Sequence, residues 1–166
     1  MPKYGTEVIT DVPSPRKVAP PGDDSAYFER MTKALFTAGL SWEMVEKKWP
    51  NFKKAFHGFD PGKVSATKAA GVERLMKDPG IVRNEKKVNA TVENAKQFEN
   101  IRKSHGSFRK YIDSFGKDEQ RLQEALQKDF RHVGPSTARM FLWSVGYKLT
   151  PNAEEKKWMA GHNRDD

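Results

Sequence analysis

The chain of 166 residues contains no cysteine. That absence excludes disulfide frameworks, thiolate zinc sites and cysteine nucleophiles at once. Long apolar runs are missing too. No stretch approaches the ~18 residues of a membrane span, and no segment of signal-peptide type opens the sequence. Nor is there a run of period-two alternation, the pattern of a half-buried strand. Apolar residues make up only 36%, and the mean hydropathy is -0.83. Aromatics, at 11%, are not scarce, and disordered chains rarely carry Trp and Phe at that rate. These shortages leave a compact core under a heavily charged coat, in one domain.

What is abundant is positive charge. Thirty Lys and Arg oppose 22 Asp and Glu, giving a formal net charge of +8, and the pI is near 9.6. A polyanionic partner is the direct implication, although charge alone does not name it.

Three regions are expected. Residues 1–22 hold five prolines and no helical period, and read as an arm. Residues 23–160 read as the helical domain, and 161–166 as a tail. Within the domain, Asp23, Asp24 and Ser25 are N-cap types, and Tyr27, Met31, Ala34, Leu35 and Ala38 follow at helical spacing until Gly39. Ser41 caps a second helix with Met44, Val45 and Trp49 on one side, and Pro50 opens a further segment with Phe52, Phe56 and Phe59 inward. Thr67 begins a short helix. A longer one runs from about Arg83 to Ile101, and two more carry Phe108 to Phe115 and Leu122 to Leu126. The expected fold class is all-α.

The most informative local feature is EALQKDFRHVGPSTARMFLWSVG. One helix ends near Phe130, Val133 to Ser136 forms a tight turn, and Thr137 starts an apolar helix that runs to Gly146. Gly134 is expected in a conformation a side chain would oppose, and Pro135 fixes its own φ. Read alone, this is either an ordinary helix–turn–helix with a Ser or Thr cap or a helix-hairpin-helix, near residues 122–146, that grips one DNA phosphate. On the second reading Val133, Gly134, Ser136 and Thr137 present the amides, and Arg131 and Arg139 add charge.

Three ordered blocks decide between them: AGLSWEMVEKKWPNFKKAFHGFDPGKVSA, DPGIVRNEKKVNATVENAKQF and the hairpin itself. Together, over residues 23–146, they resemble the 3-methyladenine DNA glycosylase I family of helix-hairpin-helix glycosylases. The resemblance implies a base-excision-repair enzyme that flips an alkylated purine from duplex DNA and hydrolyses its N-glycosidic bond. It also implies that Trp42 lines the base pocket and that Gly39 and Leu40 form the wedge filling the gap in the duplex.

The sequence departs from the family at three places. The pocket glutamate expected eight residues before the tryptophan is Ala34, and a nearby Gln is Thr37. The family's N-terminal Tyr-His and Trp pocket segment is missing, which leaves Tyr4 or Tyr27 as a substitute stacking face. The family's structural zinc is held by two Cys and two His, but this chain has no Cys and its His57, His105, His132 and His162 are not at metal-ligand spacing. No cofactor and no zinc are expected. Glu29 and Glu43 are candidate replacement carboxylates, with an ordinary i,i+4 surface pair between Glu29 and Lys33 as the plainer alternative. The catalytic residue is left open. The expected partner is duplex DNA containing a damaged base, bound by a monomer in the cytoplasm or nucleoid with no membrane association. The alternative is a DNA-binding protein that kept this scaffold with catalysis lost or specificity altered.

Overall fold

Helix starts in this chain are written into the sequence as hydrogen-bonding side chains. Asp23, Ser41, Asp60, Asn84, Ser107 and Asp118 each accept from a backbone N–H of the turn that follows. The structure, a computed structural model, describes residues 20–162. Among these there is no strand. The helices are α1 (Asp24–Thr37), α2 (Trp42–Ala55), α3 (Pro61–Ser65), α4 (Ala69–Met76), α5 (Glu85–His105), α6 (Phe108–Asp113), α7 (Glu119–Asp129), α8 (Pro135–Ser144) and α9 (Ala153–His162). A 3-10 turn, His57–Phe59, joins α2 to α3. The all-α expectation holds. The proline-rich arm lies almost wholly outside the described residues, as does Tyr4.

Pro50 does not open a helix of its own. It sits inside α2, which runs unbroken through it. The proline removes one backbone donor, but Val45, Trp49, Phe52 and Phe56, buried on one side, carry the apolar stripe past it. Burial of that stripe outweighs the lost bond.

The core is built from aromatic rings in two groups. Trp49 stacks on Phe59 at 5.1 Å and 9°, with Phe36, Phe52 and Phe56 around them. Phe98 stacks on Phe108 at 4.4 Å and 13°, next to Phe130 and Phe141. Phe28 of α1 touches both groups, edge-on to Phe59 at 5.9 Å and to Phe98 at 5.3 Å. The long helix α5 packs on α1, α3, α4 and α6. Two of its polar side chains reach the regions that matter for function.

Candidate nucleic-acid interface

The hairpin is α7, a turn, and α8. Leu122 and Leu126 bury the inner side of α7, and Asp118 caps it by accepting from Arg121 N at 3.1 Å. The turn is held from outside by Asn94 of α5. Its Nδ2 donates to Arg131 O at 3.1 Å, and its Oδ1 accepts from Arg131 N at 2.7 Å. Asn94 is 2% exposed, so both bonds are made away from water.

Gly134 differs from expectation. Its φ of -86° and ψ of -175° are extended backbone open to any residue. The left-handed position of the turn is His132, at φ 57°. A Cβ at 134 would meet no atom of the chain within 4 Å. Nothing inside the protein therefore calls for glycine here, and the space it leaves faces outward. The ordinary Ser or Thr cap is also missing: α8 starts at Pro135 with no side-chain cap. Its first-turn amides have no intrahelical acceptor and sit at the positive end of the helix dipole. Gly134, Ser136 and Arg131 are exposed, while the side chains of Val133 and Thr137 are buried and leave only backbone to offer.

Arg139 is not at this grip. Its guanidinium is committed to Glu155, donating through Nε at 2.9 Å and through Nη2. It also donates to Gln123 Oε1 at 3.2 Å and Thr150 O at 2.8 Å. The Arg139 and Glu155 side chains are 15% and 10% exposed. Burial pushes the Glu155 carboxyl up, but bonds from Arg139, Asn152 N and Trp143 outweigh it and hold the group below its ordinary value. Arg139 fastens α9 to α8 rather than meeting a ligand.

The second surface is the turn between α1 and α2. Gly39, at φ 77°, reverses the chain where a side chain would be strained. Leu40 N donates back to Thr37 O at 3.0 Å. Lys87 of α5 reaches in, its Nζ donating to Ala38 O at 2.7 Å and Phe36 O at 3.4 Å. It supplies the cation that the last turn of α1 lacks, and burial pulls its pKa down. Ser41 then caps α2, so that Trp42 opens the helix. Trp42 and Met44 stand exposed at 38% and 40%, with Leu40 half-buried beside them. Trp42 is thus a surface indole and not a core one. Ala34 and Thr37 are each 4% exposed, Ala34 within the core. The Thr37 hydroxyl has no hydrogen-bond partner among the described residues.

Tyr27 is not part of this surface. It lies ten residues before Thr37 on α1, about 15 Å along the axis. It is 3% exposed, with its ring against Phe108 at 5.3 Å, so its face is not free to stack on a base. Glu29 accepts from Trp49 Nε1 at 2.8 Å and lies 3.9 Å from Lys53 Nζ, whereas Lys33 pairs with Glu46 at 2.5 Å. The Glu29–Lys33 pair is not formed. Glu43 is exposed in the first turn of α2.

Among the described residues no three His, Asp or Glu side chains group closely enough to hold a metal ion. With no cysteine in the chain, the zinc clasp of the resemblance has no thiolate donors, and the residues present do not fit it. No described helix is long and apolar enough to cross a membrane.

Two residues here were not singled out from sequence, Asn94 and Lys87. The signal for Asn94 was present, a polar residue flanked by the buried stripe of Val88, Val92, Ala95 and Phe98.

An all-helical fold that carries an uncapped hairpin and, on a separate turn, an exposed indole points to a class, the all-helical DNA glycosylases, and the comparisons with known proteins bear on it directly. The 3-methyladenine DNA glycosylase I of Staphylococcus aureus superposes with a TM-score of 0.69 at 28% identity, over 82% of this chain and 85% of that one. Its structure is described as the basis of 3-methyladenine recognition. The methyladenine glycosylase family model matches residues 18–140. The chain is 30% identical over 147 residues to the DNA-3-methyladenine glycosylase of Haemophilus influenzae, covering 76% of this chain and 80% of that enzyme. It is 35% identical over 106 residues to DNA-3-methyladenine glycosylase 1 of Escherichia coli, covering 64% of this chain but only 57% of the relative. This protein belongs to the methyladenine glycosylase family.

Proposed function

We propose that this protein is a base-excision-repair DNA glycosylase that acts as a monomer on duplex DNA carrying an alkylated purine of the 3-methyladenine kind. The observation that carries the reading is the uncapped start of α8 behind Gly134, where amides and open space face outward. Backbone amides of the turn and of Ser136 hold one phosphate, with Arg131 adjacent. Leu40 enters the duplex at the flipped nucleotide, and Trp42 meets the extrahelical base. The N-glycosidic bond breaks with its electron pair leaving on the base, water adds to the sugar carbon, and the water releases a proton. A cationic methylated purine departs as a neutral base, so the step needs less acid assistance than a normal purine does. The fold is held without a zinc clasp on this reading, its C-terminal helix being fastened by Arg139 and Glu155.

A second reading is favoured by one observation. Ala34, in place of the pocket glutamate, offers no acceptor to a base. On that reading the chain is a DNA-binding protein that kept the scaffold, with catalysis lost or specificity altered. Incubation with methylated duplex DNA and quantitation of released bases separates the two. Release of 3-methyladenine above a heat-inactivated control is expected. Salt-sensitive duplex binding without release of any base establishes the second reading instead.

A further inference from the structure

A helix end leaves carbonyls that no amide of the same helix can meet, and a cation near them offsets the negative pole. Of the helices α1 to α8, six carry Lys, Arg or His in their own last turn: α2, α3, α4, α5, α6 and α7. α1 and α8 carry none. These are the helix that leads into the turn of Leu40 and Trp42 and the helix that starts at the hairpin turn. Each is served instead by a side chain from another helix. Lys87 of α5 does this for α1. For α8 the donor is Arg30 of α1, whose Nη1 donates to Ser144 O.

Ser144 O depends on that bond. The other carbonyls of the last turn find partners close along the chain. Phe141 O accepts from Val145 N at 3.1 Å and Ser144 Oγ at 2.6 Å, Leu142 O from Tyr147 N at 3.0 Å, and Trp143 O from Gly146 N at 3.1 Å. No backbone amide among the described residues donates to Ser144 O outside the helix. Arg30 is half-buried and enters none of the ion pairs among the described residues, so its guanidinium is spent on the helix end.

The origin of the cation matters. A Lys or Arg on a helix's own last turn satisfies carbonyls but fixes nothing outside that helix. A cation reaching across ties the end to its neighbour. Arg30 stands seven residues before Thr37 on α1, about 10.5 Å along the axis, and Ser144 stands nine residues from Pro135 on α8, about 13.5 Å. The bond therefore pins the end of α8 opposite its uncapped start. One pole of α8 is closed from within the protein and the other is left open to solvent.

We infer that Arg30 is a positioning residue for the phosphate grip. It seats the closed end of α8 on α1 and offsets its negative pole, so that the amides at the open end meet a phosphate at a set place relative to Leu40 and Trp42. The inference deepens the proposed function and rests on its reading of the hairpin. Arg30 acts through α8 and touches no DNA.

Binding of the full chain to an undamaged labelled duplex, followed by fluorescence anisotropy across a range of salt, tests this. Arg30→Met keeps the aliphatic stem but removes donor and charge, and is expected to weaken binding about fivefold. Its log–log salt slope should equal the parent's, because no phosphate contact is lost. Arg131→Gln, which removes a cation beside the phosphate, should instead reduce the slope by about 0.9. Arg30→Lys supplies the single bond and the charge that Ser144 O needs, and should bind within about twofold of the parent. The Val145 nitrogen, in the same peptide group as Ser144 O, reports the bond by NMR: its shift should move in Arg30→Met and return in Arg30→Lys. Thermal melts establish that the variants fold, and Arg30→Gln replaces the Met variant should that one not. Equal binding by parent and Arg30→Met overturns the inference, as does a failure of Arg30→Lys to restore binding. A reduced slope in Arg30→Met overturns it too, by placing Arg30 on the phosphate itself. A parent that binds no duplex overturns the proposed grip, and the inference with it.

Discussion

Replacing Glu155 by Gln tests how the C-terminal helix is held. The carboxylate accepts four hydrogen bonds: from Arg139 Nε and Nη2, from Asn152 N at 3.0 Å and from Trp143 Nε1 at 3.3 Å. Glutamine keeps the size but removes the charge, leaving the Arg139 guanidinium buried without a counter-ion. Breaking a buried pair from one side costs about 3–5 kcal/mol. Because both side chains keep some exposure, the low end applies, about 3 kcal/mol. For a chain of this length that lowers the melting temperature by roughly 6–12 °C. The pH dependence carries a second signature. The unfolded carboxyl titrates near 4.5 and the folded one lower. The contribution is therefore complete above about 4.5 and is lost as pH falls through the folded value. Glu155→Gln should flatten that part of the acid-unfolding curve. Calorimetric melts of parent and variant from pH 7 to pH 3 measure both effects. A shift under 2 °C at neutral pH, with an unchanged acid slope, would refute the reasoning. Replacing Arg139 and Glu155 together by Met should recover most of the loss, since an apolar pair of similar volume has no stranded charge.

Gly134→Asp should separate binding from stability. Its Cβ meets open space and Asp is a good N-cap, so melting should hold steady or rise while duplex affinity, by fluorescence anisotropy, falls at least tenfold. Lys87→Met leaves Ala38 O without its donor and should cost about 1–3 kcal/mol in urea unfolding. Asn94→Leu removes both bonds to Arg131; hydrogen exchange at the Arg131 amide should accelerate, and duplex binding should weaken with it. Phe28→Ala opens a cavity between the two aromatic groups and should cost about 3–5 kcal/mol by chemical denaturation.

The helices were legible because caps and apolar stripes are local signals. Asp23 and Ser41 mark starts that the backbone confirms. Where sequence reading failed, the deciding interaction was distant. Pro50 looked like a break because the burial that carries α2 through it comes from rings on other helices. Arg139 looked like a phosphate ligand because its partner, Glu155, lies 16 residues on, in a run of mixed charge. Tyr27 shares a side of α1 with Ala34, but periodicity does not reveal that Phe108 covers its ring. The strain in the hairpin falls on His132 and not on Gly134, a difference that residue type alone predicts in reverse.

Lys87 and Asn94 lie seven residues apart on one rigid helix, about 10.5 Å along its axis. Each ends on backbone, the first on the turn that presents Leu40 and Trp42, the second on the turn that presents Gly134. α5 is therefore a gauge block set between the two surfaces. On the proposed function, a strand held at one is offered to the other at a fixed offset, so that the distance from held phosphate to extrahelical base is set by the helix and not by the DNA.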